Sequence, residues 1–231
     1  MLRLEEVRIS QGDFHLSANW SIAAGDRVAI IGPSGEGKST LLLGIAGFVP
    51  LASGKISWAG HDLAASPPGD RPLSLLFQDQ NLFPHLTIAQ NLGLGLNPSL
   101  KLTANDQDQI AQALVRVGLA GLGARRPASL SGGQLGRAAL ARALLRARPV
   151  LLLDEPFAAL GPALKSEMLD LVADVAASTA ATVLMVTHDP RDAQRFAEHT
   201  ILVADGVAQA PEPTAALFAN PPRALAEYLG T

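Results

Sequence analysis

Nine residues, 32–40 (GPSGEGKST), constrain the fold of this chain more than any other stretch. Gly32, Gly37, Lys38 and Ser39 satisfy the spacing G-x-x-x-x-G-K-[ST]. The flanks are those the spacing requires, an apolar strand-like VAII at 28–31 and a helix-forming LLLGIA at 41–46. A loop that joins a strand to a helix presents Gly32, Pro33, Ser34, Gly35, Glu36, Gly37, Lys38, Ser39 and Thr40 at a helix N-terminus. There the backbone N–H groups have no intrahelical partner and attract phosphate. Glycines let that backbone wrap closely, since a Cβ would collide with the phosphate or disfavour positive φ. Lys38 adds a full charge toward the β and γ phosphates, and the Ser39 hydroxyl is a ligand for Mg²⁺.

The remaining strands follow from this anchor. Residues 1–31 alternate, with Leu2, Leu4 and Val7 in one segment and Phe14, Leu16, Trp20 and Ile22 in the next. This predicts an antiparallel β layer that leads into a central strand at 27–31. Phe14, His15 and Trp20 are the aromatic candidates to stack on a base there, and for each a half-buried strand face is an equally good reading. LSLLF at 73–77 is an apolar strand followed by Gln78, on the edge of an α/β sheet where ligands bind, although by itself such a glutamine reads as a plain surface residue. VLLLD at 150–154 is apolar without interruption, which marks a central parallel strand buried on both faces. It delivers Asp154, suited to Mg²⁺ through its water shell, and Glu155, suited to deprotonate an attacking water. TVLMV at 182–186 does the same for Thr187 and His188. A lone histidine is usually structural; this one ends a strand on the same edge as two carboxylates.

Between these strands, residues 79–130 carry no strand pattern. Thr87 caps a short helix through Leu92, 94–102 reads as loop, and Ile110, Leu114 and Val117 share one face of a helix over 106–117. Ser131 is a natural N-cap for a further helix to about residue 147, opened by Gly132, Gly133 and Gln134. By themselves these glycines indicate only a softened helix start. Asp205 and Gly206 form a hairpin turn, and 213–229 reads as a helical tail. The fold class is α/β: a phosphate-loop core with a mostly parallel central sheet, an N-terminal antiparallel β layer and an inserted helical subdomain. Within the single domain 1–231, the core spans 1–78 and 149–231, and the helical part spans 79–148.

Composition narrows the partners. A net charge of −3 over 231 residues argues against nucleic acid as a bulk electrostatic partner. Absence of cysteine excludes a disulfide framework and a thiolate metal site. The N-terminus, with Glu5 and Glu6 and no apolar core, does not read as a secretory signal, and no apolar run approaches membrane-spanning length. Yet 48% of the residues are apolar, a weak sign of a surface covered by a partner.

GPSGEGKST, Gln78, LSGGQ at 130–134, VLLLDEP at 150–156 and Thr187-His188 stand in the order of the ATP-binding cassette ATPases, which the whole chain resembles. The LSGGQ element is the specific part. The resemblance implies a head-to-tail dimer with two ATP molecules between the phosphate loop of one copy and the LSGGQ of the other. It implies that Lys38 and the 32–39 backbone hold phosphates, and that Ser39, Gln78 and Asp154 serve Mg²⁺ and its waters. Glu155 is then the catalytic carboxylate and His188 a γ-phosphate contact. Ser131 and Gly133, within Ser131-Gly132-Gly133-Gln134, reach the second copy's ATP. The loop with Phe83 and Leu86 faces a membrane permease, and the chain lies peripherally on the cytoplasmic face of the inner membrane. Residues 77–102, 151–164 and 202–206 look like the ATPase subunit of bacterial thiamine importers, with GLGLNP at 93–98 the most distinctive part. That likeness implies a periplasmic solute-binding protein as an indirect partner.

Three departures from the family pattern stand out. Gly161 occupies the place of an aspartate that helps align the two sites across the dimer. Leu135-Gly136-Arg137 replaces Arg-Gln-Arg after the signature. Gln11 stands where the adenine-stacking tyrosine is expected, leaving Phe14 as the substitute. Gly161 leaves open a nucleotide-gated dimerisation module with weak hydrolysis. The other readings are an importer ATPase for another small solute and a soluble cassette protein of DNA repair or translation, the last disfavoured by the lack of a long insertion, a tandem cassette or a basic excess.

Overall fold

The computed structural model describes residues 1–77, 79 and 81–230. The chain opens with β1 (Leu2–Gln11) and β2 (Phe14–Ile22), an antiparallel pair. Their alternation comes from the sequence, but it slips phase. Leu2 and Leu4 are buried, then Val7 and Ile9, and the extra residue is absorbed by a bulge at which Glu6 takes φ 46°. Next come β3 (Arg27–Ile31), α1 (Lys38–Ala46), β4 (Ser53–Trp58), β5 (His61–Asp62) and β6 (Leu73–Leu76).

Three helices follow before the next strand: α2 (Ile88–Leu96), α3 (Ala104–Arg116) and α4 (Gly132–Leu145). Each starts with a reciprocal cap, Thr87 with Gln90, Thr103 with Asp106 and Ser131 with Gln134. The first runs a turn longer than its apolar spacing predicts, into the 94–102 segment read as loop. It ends at Asn97, just before Pro98, where a helix cannot easily continue.

The last part comprises β7 (Val150–Asp154), α5 (Pro162–Thr179), β8 (Thr182–Val186), α6 (Pro190–Phe196), β9 (His199–Ala204), β10 (Val207–Ala208), β11 (Glu212–Pro213), α7 (Thr214–Ala219) and α8 (Arg223–Leu229). The helical tail is thus two helices, divided at Pro221-Pro222.

Strands β9, β3, β8, β7 and β6 form the parallel sheet in that order, and β5, β4, β1 and β2 form the antiparallel layer. The two-residue β10 joins them, parallel to β2 and antiparallel to β9. Alternation along the parallel strands divides the core. Val28, Ile30, Leu152, Leu184 and Ile201 face the antiparallel layer and α1, while Ala29, Ile31, Leu153, Met185 and Leu202 face α4 to α8. A third cluster, with Ile88, Leu92, Ile110, Leu114, Ala138 and Ala141, holds the inserted helices together. Helix α4 serves both: Ala138 and Ala141 pack into the insert, Ala139, Leu140 and Ala143 into the main core. Gly136, the residue that weakens this helix intrinsically, is buried there. No helix among the described residues is long and apolar enough to cross a membrane.

Candidate functional site

The phosphate loop owes its shape to glycines at positive φ: Gly32 at 146°, Gly35 at 87° and Gly37 at 93°. Two of them are also packed. A Cβ on Gly32 would lie 2.0 Å from the Val203 carbonyl oxygen, and one on Gly37 would lie 2.4 Å from Phe14 Cζ. Phe14 therefore sits against the loop, whereas Trp20 is buried at 6% exposure and offers no face to a ligand. His15 is exposed and hydrogen bonds through Nδ1 with Ser10 Oγ at 3.0 Å.

Lys38 lies at the first turn of α1, buried, with Nζ donating to the carbonyls of Gly32 (2.8 Å) and Pro33 (2.6 Å). Burial lowers its pKa, opposed by the charges of Glu155, Glu36 and Asp154. Glu36 reaches β10's turn, its Oε2 accepting from the Gly206 N–H at 3.5 Å. The next residue of α1 points across the sheet. Ser39 Oγ donates to Asp154 Oδ1 at 2.9 Å. Asp154 is buried at the end of β7, and desolvation raises its pKa, with Glu155 adding to the shift and the Ser39 bond and Lys38 opposing it.

The strand ends bring the next pair together. Asp154 stands opposite Val186 in the parallel register of β7 and β8. Glu155 then turns out of the sheet, its N–H bonded to the Val186 carbonyl at 3.1 Å and its φ at 44°. A non-glycine residue in this region costs about 1 kcal/mol or more and persists where its surroundings fix it. The turn aims Glu155 Oε2 at His188 Nδ1, 3.1 Å away.

Behind His188 lies a network with no visible signal in the sequence. Thr187 donates its hydroxyl to Asp192 at 2.9 Å and accepts from the Asp189 N–H at 3.1 Å. Lys165, on α5, reaches Asp189 (3.0 Å) and Asp192 (2.8 Å). Burial opposes the Lys165 charge, but the bonds to Asp192 and Asp189 outweigh it and raise the pKa. From α8, Tyr228 donates its hydroxyl to the His188 carbonyl at 2.5 Å.

The LSGGQ residues form the start of α4. Ser131 Oγ accepts from Gln134 N–H at 3.3 Å, and Gln134 Oε1 accepts from Ser131 N–H at 2.9 Å. Ser131 and Gly132 are exposed. Gly133 packs so closely that a Cβ would come 2.9 Å from Leu160 Cδ2, in the loop before α5. Of the sequence candidates, the structure gathers residues 32–40, Asp154, Glu155 and His188 at one edge of the sheet, with Ser131 to Gln134 at a separate helix end. Gln78 lies outside the described residues.

The donor set fits ATP and Mg²⁺. The loop is a cradle that a Cβ would fill, and a hydroxyl and a carboxylate, both hard oxygen donors, converge beside it. Among the described residues no group of three or more His, Asp or Glu side chains is arranged to hold a metal alone.

Known proteins agree with this geometry. The family described as ABC transporter matches residues 16–158. The chain is 68% identical over 230 residues to a protein of Cereibacter sphaeroides named thiamine import ATP-binding protein ThiQ, covering all of both chains. It is 58% identical, again over all of both, to a protein of the same name from Ruegeria sp. (strain TM1040). Among solved structures it resembles the dimeric ATP-binding cassette MJ0796 in a post-hydrolysis state bound to ADP and Pi. That match has TM-score 0.83 and 29% identity, over 93% of this chain and 99% of that one. With the family model spanning more than half of the residues and relatives matching from end to end, this chain belongs to the ABC transporter family.

Proposed function

We propose that the chain is the ATP-hydrolysing subunit of a bacterial thiamine importer, acting as a head-to-tail dimer on a separate membrane permease. The observation that carries the reading is the convergence of Lys38, Ser39, Asp154, Glu155 and His188 at one sheet edge. The thiamine assignment follows the names of the relatives that match from end to end.

The loop amides and Lys38 bind the β and γ phosphates at the positive end of α1. Ser39, Asp154 and Gln78 hold Mg²⁺ and its waters; when bound, the ion neutralises charge on the phosphates. Glu155 accepts a proton from a water that attacks the γ-phosphorus, with ADP as the leaving group. His188 keeps that carboxylate oriented and contacts the γ-phosphate. Ser131 and Gly133, with Gly132 and Gln134, present the start of α4 to ATP held by the second copy, so each site is completed by two chains. The loop with Phe83, 48% exposed, and Leu86 docks the permease, which receives its solute from a periplasmic binding protein. The chain works on the cytoplasmic face of the inner membrane.

Glu155→Gln tests this. The variant should bind ATP and elute as a dimer in its presence, with turnover lower by at least about a hundredfold. Turnover close to wild type would remove Glu155 from its role. ATP-dependent uptake of labelled thiamine into vesicles that hold the chain and its permease tests the substrate.

A further inference from the structure

Nothing in the motif pattern singles out Tyr228, the chain's one tyrosine. It nevertheless touches the residue whose placement matters most for a proton acceptor at the sheet edge. Helix α8 is fixed to the molecule by Leu225, fully buried in the core under the parallel sheet, with Ala224, Tyr228 and Leu229 packed beside it. From there the Tyr228 hydroxyl bonds to the His188 carbonyl at 2.5 Å, across 40 residues of sequence. The imidazole of that same residue lies 3.1 Å from Glu155.

The neighbours of His188 are held from another side. Thr187 is bonded through its N–H to the Ile30 carbonyl (3.2 Å) and through its hydroxyl to Asp192. Asp189 is bonded to Lys165 and caps α6 through the Arg191 N–H. These contacts fix the strand end before His188 and the helix start after it. The carbonyl of His188 lies between these two anchors, and Tyr228 holds it.

We propose that Tyr228 is a positioning residue for His188, fixing the carbonyl of the strand-end peptide so that the ring stays on Glu155. The role rests on the reading of Glu155 and His188 as the hydrolytic pair. The phenol remains a donor in this setting. Burial, then the charges of Glu155 and Asp189, push its pKa up, so it stays protonated through the physiological range. A phenolate would be unable to donate to a carbonyl.

The test uses the full chain and Tyr228→Phe, which removes one oxygen and leaves the ring in the core. With ¹⁵N-labelled histidine, His188→Gln assigns the His188 ring signals without nucleotide. Tyr228→Phe should move those signals and leave the exposed His61 and His85 in place. Unmoved His188 signals would overturn the proposal, and this readout stands even if the chain hydrolyses no ATP, the result that would sink the reading it rests on. In turnover, Tyr228→Phe should lower kcat by roughly fivefold, the size of one lost hydrogen bond, with KM changed less than about twofold. In a His188→Ala background the same change should have no further effect. An equal loss in both backgrounds would make Tyr228 a stabilising residue only, and the positioning role would fall.

Discussion

Ser39 Oγ and Asp154 Oδ1 lie 2.9 Å apart, although 115 residues separate them. The first follows a strand through a tight loop, and the second ends a strand two places away across β8. That contact ties the phosphate loop to the carboxylate edge, and it is made by a carboxylate that burial disfavours as an anion.

Asp154→Asn follows from this. A carboxyl whose pKa is raised on folding binds more protons in the native state, so its ionisation costs stability as pH rises. The cost is absent below the ordinary carboxylate range near about pH 4 and complete above the raised folded value. The amide keeps an oxygen to accept from Ser39 without carrying charge. Calorimetry on nucleotide-free protein should show a higher Tm for the variant at pH 8, about 2–4 °C for each kcal/mol recovered, shrinking toward pH 4. Turnover should be lost, since the proposed function uses Asp154 as an anion.

The loop glycines separate two kinds of cost. At Gly35 a Cβ meets nothing within 4 Å, so Gly35→Ala bears only the left-handed backbone, about 1–2 kcal/mol. At Gly32 the Cβ would overlap the Val203 carbonyl at 2.0 Å, so Gly32→Ala has to shift β9 as well. Urea denaturation should rank Gly32→Ala clearly below Gly35→Ala, by about 2 kcal/mol or more. Equal midpoints would mean that the loop relaxes away from β9 freely.

Gly161 is the N-cap of α5, at φ −67° and ψ 158°, with no side-chain cap and no atom within 4 Å of a Cβ. An aspartate fits there without strain and caps the helix better by a few tenths of a kcal/mol. Gly161→Asp should therefore raise Tm by about 1 °C. Its turnover should stay within about twofold of wild type. A sharp rise in phosphate release would favour a weakly hydrolysing, nucleotide-gated module in place of a working ATPase.

Much of this molecule was legible because its signals are local. The phosphate loop is a contiguous spacing with a strand before it and a helix after it. The uninterrupted apolar runs at 150–154 and 182–186 announce parallel strands, and the residues after them fall at the sheet edge automatically. The caps at Thr87 and Ser131 are local too, each a four-residue pattern closed by Gln90 or Gln134. What escaped depends on partners far apart in sequence. Tyr228 on His188, Lys165 on Asp189 and Asp192, and Phe14 against Gly37 are each set by how the layers pack, and no spacing encodes them. The bulge in β1 is an intermediate case. Its cause, a slip from Leu4 to Val7, is visible in the residues, but the slip gains meaning only once the partner strand is in place.

Helix α4 is a wall common to two rooms. Ala138 and Ala141 line one, Ala139, Leu140 and Ala143 the other, and alanines on both sides leave little slack for sliding. A graft that exchanged the helical insert between relatives would need to cut on the near side of this helix or take it along, and either choice exposes an apolar face shaped for its former neighbour. Chimaeras that keep α4 together with both of its surroundings should express and fold, while those divided at its boundary should aggregate.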